Sequence, residues 1–142
     1  MPVALREFRF PDDYAGVMRF WKSIEKGMHI SPSDVPAEIE KKIQRDPDLF
    51  LIAESNHEIV GTVIGGFDGR RGMIYHMAVA ASFRGQGIGS RLMSEVESRL
   101  RAKGCLKCYL LVLGDNTEAM AFYEHLNWEL MDGHLIYGKE FK

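Results

Sequence analysis

The spacing of apolar residues predicts a short strand and two helices at the start of the chain. Residues 5–10 alternate imperfectly between apolar and polar side chains and suit a first strand. A helix start follows at residues 11–13, where a proline precedes two acids. Gly27 ends that helix, and residues 37–44 are predicted to form a second, shorter one. The first helix buries one face, because its apolar residues recur at helical spacing: Tyr14, Val17, Met18, Trp21 and Ile24.

The middle of the chain predicts three strands and a long helix. Residues 49–54 are strongly apolar, and residues 59–66 return after a turn as the antiparallel partner in a hairpin. A further strand over residues 73–79 leads into a glycine-rich loop. The helix after this loop starts near Gly87 and ends at Gly104. Its apolar face is formed by Ile88, Leu92, Met93, Val96 and Leu100.

The end of the chain predicts a strand, a helix and a closing hairpin. Residues 107–113 form the strand, and Asp115 or Asn116 caps the helix that follows. Asp132–Gly133 is a common turn dipeptide, which predicts a hairpin formed by residues 128–131 and 134–139.

These elements follow the order β-α-α-β-β-β-α-β-α-β-β. They predict an α/β protein of the α+β type, with a mixed, mostly antiparallel sheet of about seven strands and about four helices. No repeat or linker interrupts the pattern, so we expect one domain over residues 1–142.

Composition narrows the possible partners. Apolar residues make up 46% of the 142 residues, charged residues 27%, and the formal net charge is −2. Without a basic excess, a nucleic-acid partner is not expected. No apolar run approaches the roughly 20 residues that a membrane span needs. Charged residues also come too early for a secretory signal, so we expect a cytoplasmic protein.

Cys105 and Cys108 form a C-x-x-C pair at the entry to a predicted strand. A redox dithiol normally opens a helix, and a zinc site would need two further ligands, which do not lie nearby in sequence. We therefore expect two reduced thiols and no metal.

Three glycines alternate in the loop that precedes the long helix, at positions 85, 87 and 89. Absent side chains leave the backbone N–H groups bare where a helix presents its unpaired donors. Together with the positive end of the helix dipole, these donors favour an anion, and phosphate best of all.

The glycine spacing is G-x-G-x-G, which differs from the G-x-G-x-x-G of dinucleotide-binding folds. A P-loop is excluded because no Gly-Lys-Ser/Thr is present. A tight turn that holds no phosphate is the plain alternative.

Two segments resemble the GNAT N-acetyltransferase superfamily. Residues 84–89 read Arg-Gly-Gln-Gly-Ile-Gly and match the family signature R/Q-x-x-G-x-G/A. The second segment, Asn116-x-x-Ala119-x-x-Phe122-Tyr123, is similar to the family's N-x-x-A-x-x-F/L-Y. The predicted element order fits over nearly the whole chain, and residues 65–72 resemble small bacterial YpeA-type members.

The resemblance implies acetyl-coenzyme A as cosubstrate and a sheet whose fourth and fifth strands splay apart. The pantetheine arm would pair with the backbone of Met77, Ala78 and Val79. Asn116 would contact the pantetheine, although a helix N-cap explains this residue equally well. Backbone N–H groups would hold the pyrophosphate at Arg84, Gly85, Gln86, Gly87, Ile88, Gly89 and Ser90.

Tyr123 matches the family tyrosine that protonates the departing thiolate, because a phenol stays protonated at neutral pH and can donate. The alternative is a core aromatic on the inner helix face. The chain would then be an N-acetyltransferase in which an amine attacks directly in a ternary complex. A non-catalytic acyl-coenzyme A-binding or regulatory module is the second interpretation, and a homodimer is compatible with either.

The general base stays unassigned. Positions where family members carry a base hold Met73 and Leu111 here, and both are apolar. Strand alternation predicts that Tyr75 faces the acceptor and that His76 faces the opposite side, in a core or surface role. The alternatives for the base are Asp68, Glu54 and ordered water. The acceptor amine is likewise unidentified, although Glu25, Asp34 or Asp68 could attract a cation.

Overall fold

A computed structural model describes residues 2–141 and contains five strands and four α-helices. The strands are β1 (Ala4–Glu7), β2 (Phe50–Ser55), β3 (Glu58–Phe67), β4 (Gly72–Val79) and β5 (Cys108–Leu110). The helices are α1 (Tyr14–Ser23), α2 (Pro36–Arg45), α3 (Ile88–Ala102) and α4 (Thr117–His125), with short 3-10 turns at Pro32–Asp34 and Ala81–Phe83. Within the described residues, none of the helices combines the length and apolarity that crossing a membrane requires.

The strands form one sheet in chain order, from β1 at one edge to β5 at the other. The first four strands pair antiparallel, and β5 runs parallel to β4. This confirms the predicted α/β class, the mixed and mostly antiparallel sheet and the four helices. The β4–β5 ladder contains only three residue pairs and ends at Ile74 and Leu110.

Two apolar clusters cover the two faces of the sheet. On one face, α3 packs through Leu92, Met93 and Val96 against strand residues such as Leu51 and Val63. The other face is covered by α1 and α2, and the side chains that join them there are Phe8, Val17, Phe20, Trp21, Ile39, Phe50, Ile52 and Ile64. Both clusters follow from the helical spacing of apolar residues in the sequence, because this spacing gives each helix one apolar stripe that faces the sheet.

Arg6 ties the first strand to its neighbours. Its guanidinium donates two hydrogen bonds of 2.8 Å to the carboxylate of Asp13, just before α1, and a third of 3.1 Å to Glu54 on β2. A two-pronged contact of this kind fixes orientation as well as distance. The start of α1 is therefore held against the sheet edge.

The prediction of about seven strands is wrong, because residues 127–141 contain no strand. The Asp132–Gly133 turn itself is present, with the Gly133 N–H donating to Asp132 Oδ1 at 3.0 Å. However, β5 is only three residues long and gives the predicted hairpin no ladder to join, and an isolated hairpin is marginal in water. The apolar residues of this segment are consequently exposed: Leu130, Leu135, Ile136, Tyr137 and Phe141.

Gly65 sets how closely α3 approaches the sheet. A methyl group added there would lie 2.8 Å from Val96 Cγ2, and valine is too stiff at χ1 to move aside. We expect Gly65→Ala to lower the free energy of unfolding by about 1–3 kcal/mol, measured by urea denaturation.

Gly138→Ala is the matched control, because nothing lies within 4 Å of the added methyl. Its free energy of unfolding should stay within about 0.5 kcal/mol of the parent value. Equal stability of the two variants would contradict the close approach of α3.

Candidate active site

The sheet opens between β4 and β5 once their ladder ends at Ile74 and Leu110. The strand β4 continues to Val79 and keeps its pairing with β3 through Ala78 and Val79. Its other edge has no strand partner among the described residues along Tyr75–Val79. The backbone of Met77, Ala78 and Val79, which the family resemblance implies for the pantetheine arm, borders this opening.

The glycine loop lies at the end of β4 and begins α3. Gly85 and Gly87 adopt φ values of 79° and 80°, in the left-handed region that favours glycine. Gly87 is the N-cap of α3, no side chain caps this end, and no acid occupies the first turn. Nothing lies within 4 Å of a Cβ built on Gly85 or Gly87, so the space above the bare N–H groups is open. This geometry suits a phosphate group.

The remaining loop residues contribute in different ways. The Arg84 guanidinium donates to the carbonyl of Val79 at 3.1 Å, so its side chain fastens the loop to β4. Ile88 is buried, and only its backbone is available to a ligand. Gln86 is exposed, and Ser90 borders a shallow hollow along the outer face of α3.

Gly89 is the point where β4, α3 and α4 meet. A Cβ on Gly89 would lie 3.1 Å from both Met77 Cε and Phe122 Cζ. The missing side chain therefore lets these three elements converge at the floor of the opening.

Asn116 caps α4, with its side-chain oxygen accepting from the Ala119 N–H at 3.2 Å. Its side-chain nitrogen lies 2.9 Å from the position of a Cβ on Gly27, in the segment that joins α1 to α2. Asn116 thus has the N-cap role that the sequence suggested, and its amide also lies against the segment between α1 and α2. Its contact with pantetheine stays a prediction.

Tyr123 is half-buried on α4 with its ring near Phe122 and Trp128, at centroid distances of 5.1 and 6.2 Å. Burial raises the pKa of Tyr123 to about 12. The hydroxyl makes no hydrogen bond to any of the described residues, so it is a protonated donor without a partner. Both sequence interpretations of Tyr123, core aromatic and proton donor, are compatible with this position.

The alternation argument for His76 is wrong, because β4 contains a bulge at this residue. The register with β3 shifts between Thr62 and Ile64, and His76 has a φ of +48°. Its ring packs on Trp21 of α1 at a centroid distance of 4.4 Å. Tyr75 lies over Gly66 near Lys42 of α2. Consecutive residues Tyr75 and His76 therefore both face the helices α1 and α2.

Asp34 is a feature that sequence reasoning underestimated. It is only 5% exposed, and its Oδ1 lies 2.9 Å from His76 Nε2. Ser31-Pro-Ser-Asp34 forms a capping box, and this S-x-x-D spacing was the available signal. The other suggested bases are engaged elsewhere: Asp68 accepts from two N–H groups of its own turn, and Glu54 pairs with Arg6.

No base lies at the two positions where family members carry one, which are occupied here by Met73 and Leu111. Met73 is half-buried on β4, and Leu111 is 63% exposed beyond the end of β5. Among residues 2–141, no group of three or more His, Cys, Asp or Glu side chains could hold a metal ion.

Residues 16–128 match the model of the acetyltransferase (GNAT) family, and the chain belongs to this family. Its relatives include an acetyltransferase of Sodalis glossinidius, 41% identical over 138 residues, which covers 96% of this chain and 94% of the relative. An acetyltransferase of Pectobacterium atrosepticum is 43% identical over 131 residues, covering 92% and 90% of the two chains.

Solved structures with the same fold include Ard1 from Thermoplasma volcanium, with a TM-score of 0.75 and 28% identity over 89% of this chain and 82% of that one. The PaiA N-acetyltransferase of Thermoplasma acidophilum, in complex with coenzyme A, gives a TM-score of 0.80 at 18% identity and covers 94% of each chain. The predicted family is confirmed, and with it acyl transfer as the class of reaction.

Proposed function

We propose that this protein transfers an acetyl group from acetyl-coenzyme A to an amine, by direct attack within a ternary complex. The observation that carries the proposal is the opening between β4 and β5. A bare glycine loop follows β4 at one end of it. Helix α4, which carries the unpartnered Tyr123 hydroxyl, approaches this loop where Phe122 meets Gly89. An anion-binding loop, a free strand edge and a proton donor are what such a transfer requires of the protein.

The cosubstrate would lie along the opening, and different residues would bind its pyrophosphate and its pantetheine arm. The N–H groups of residues 84–90 would hold its pyrophosphate, and the backbone of Met77, Ala78 and Val79 would pair with its pantetheine arm. The Asn116 amide nitrogen would contact the same arm while its oxygen keeps the helix cap. Bound in this way, the cosubstrate supplies an activated acyl group.

Tyr123 would donate its hydroxyl proton to the sulfur when the carbon–sulfur bond breaks. A pKa of about 12 keeps the hydroxyl protonated throughout the physiological range, so the donor is always present.

A covalent acyl-cysteine route through Cys108 is disfavoured by the environment of its thiol. Burial, together with the charge of Cys105, raises the pKa of Cys108 to about 12, and a thiol of that pKa is a poor nucleophile near neutrality. Direct attack by the amine needs no such intermediate.

The second candidate function is an acyl-coenzyme A-binding or regulatory module without turnover, favoured by the apolar residues Met73 and Leu111. One experiment separates the two. Pure protein is incubated with acetyl-coenzyme A and a panel of polyamines, amino acids, peptide N-termini and aminoglycosides, and released thiol is measured. Turnover with at least one amine supports the enzyme; calorimetric binding of coenzyme A without any turnover supports the module. Absence of binding would contradict both.

Gly87→Val should weaken coenzyme A binding by at least about tenfold, because the side chain would fill the phosphate position and remove charge-assisted hydrogen bonds. Isothermal titration calorimetry measures the dissociation constant. Gly104→Val is the matched control at the other end of the same helix, since Gly104 also has positive φ, of 96°, and open space around it. Both variants carry the same backbone strain, so an equal loss of affinity in both would refute the placement of the pyrophosphate.

Tyr123→Phe should lower kcat by about 10²–10⁴-fold, the range for loss of a general acid, with little change in the KM for acetyl-coenzyme A. Steady-state kinetics with the best amine of the panel measure both constants. Tyr137→Phe is the control, because this tyrosine is exposed. A kcat for Tyr123→Phe that equals the kcat of the control would remove Tyr123 from the proton-donor role.

A further inference from the structure

The bulge in β4 is held in place by buried polar contacts. Trp21 Nε1 donates to Thr62 Oγ1 at 2.9 Å, and the Thr62 hydroxyl donates to the carbonyl of His76 at 2.7 Å. Trp21 and Thr62 are both fully buried. A non-glycine residue at positive φ costs conformational energy and persists only where its surroundings fix it. Bulges commonly re-aim a side chain next to an active site, and this one directs the ring of His76 to the side of α1.

Asp34 fixes the protonation pattern of that ring. Burial alone would raise the pKa of Asp34, but hydrogen bonds from His76 and from the Ser31 N–H outweigh burial and hold this pKa below its usual value. An ionised carboxylate can only accept, so the 2.9 Å contact places the proton of neutral His76 on Nε2. The lone pair of Nδ1 is then free. A carboxylate holding an imidazole in one tautomer is the arrangement that serves a general base.

The free nitrogen is not fully enclosed by protein, although most of the His76 side chain is buried. No hydrogen bond to His76 Nδ1 is present within the described part of the chain, and Nδ1 is not one of the buried atoms that lack a partner. His76 also directly precedes Met77, whose backbone borders the opening. The segment between α1 and α2 that supplies Asp34 also contains Gly27, which lies against Asn116 at the start of α4.

We infer that His76 is the general base of the transfer and that Asp34 is its positioning residue. This inference rests on the proposed function. The nitrogen lone pair of the amine forms the new bond to the carbonyl carbon, and the amine proton passes to His76 Nδ1. The carbon–sulfur bond breaks, its electron pair stays on sulfur, and the sulfur takes the proton of Tyr123. Proton transfer from the charged His76 to the tyrosinate through solvent restores both groups.

The charges around His76 suit this cycle. From the segment between α1 and α2 it faces the Asp34 carboxylate, which His29 also approaches. From α1 it meets Trp21, and the Tyr14 hydroxyl donates to the Asp34 carbonyl at 2.7 Å. On β4 its neighbour is Tyr75, whose pKa burial raises. The Asp34 carboxylate therefore lies 2.9 Å from the ring that accepts the proton. Tyr14 and Tyr75 stay neutral, because burial raises both of their pKa values.

The test combines kinetics and spectroscopy on the full chain. With acetyl-coenzyme A and either spermidine or hydroxylamine as acceptor, His76→Gln should lower kcat/KM for the amine by about 10²-fold or more. Its residual rate should rise with pH over the whole range, since hydroxide replaces the lost base. Asp34→Asn keeps an acceptor oxygen but loses the charge, and it should lower the same constant by about tenfold. Coenzyme A affinity, measured by calorimetry, should stay unchanged in both variants.

Long-range ¹H–¹⁵N spectra of the ring provide a readout that needs no turnover. They should report a proton on Nε2 and none on Nδ1 of neutral His76. The control His134→Gln removes an exposed histidine of the terminal segment and should leave kcat/KM unchanged.

Three results would overturn the assignment. These are a proton on Nδ1, a kcat/KM of His76→Gln within about threefold of the parent, or a parallel loss of coenzyme A affinity, which would mean that His76 only supports the strand. If His76→Gln does not fold, the spectra and Asp34→Asn decide. If the parent protein binds coenzyme A but acetylates neither amine nor any of the panel, the proposed function fails, and the spectra still test the tautomer.

Discussion

The early end of the β4–β5 ladder is the constraint on which the rest of the structure depends. After three parallel pairs the two strands separate. One edge of β4 is left free beside the glycine loop, and α4 can approach the gap so closely that Phe122 would touch a side chain at Gly89. The same separation leaves β5 too short to organise further strands. The early end of the ladder thus accounts both for the opening between β4 and β5 and for the absence of the predicted closing hairpin.

The attraction of the opening for an anion comes from the backbone more than from charged side chains. The loop offers N–H groups and a helix dipole, while the chain as a whole carries a net charge of −2. The pKa values of two groups shift in opposite directions. Burial raises the pKa of Tyr123 and keeps it protonated, whereas hydrogen bonds lower the pKa of Asp34 and keep it ionised. Environments that shift the pKa values of different groups in opposite directions are typical of sites that move protons.

The sequence predicted what depends on local signals and missed what depends on distant contacts. Glycines at positive φ and the Asn116 cap are local, so the loop and the start of α4 were predictable. The orientation of His76 was not, because alternation fails where a bulge adds a residue, and Thr62 and Trp21 secure that bulge from other elements. The last two strands were over-predicted because turn chemistry says nothing about whether a neighbouring ladder exists.

The bulge makes chain length, as well as residue identity, a determinant of this site. In a β4 one residue shorter, the ladder with β3 could run without its shift, and side chains would alternate up to Val79. Position 76 would then face α3 in place of α1, whatever residue occupied it. Deleting one residue of this strand would therefore turn the side chains between the deletion and the bulge to the opposite face of the sheet. The glycine loop after the strand would stay unchanged.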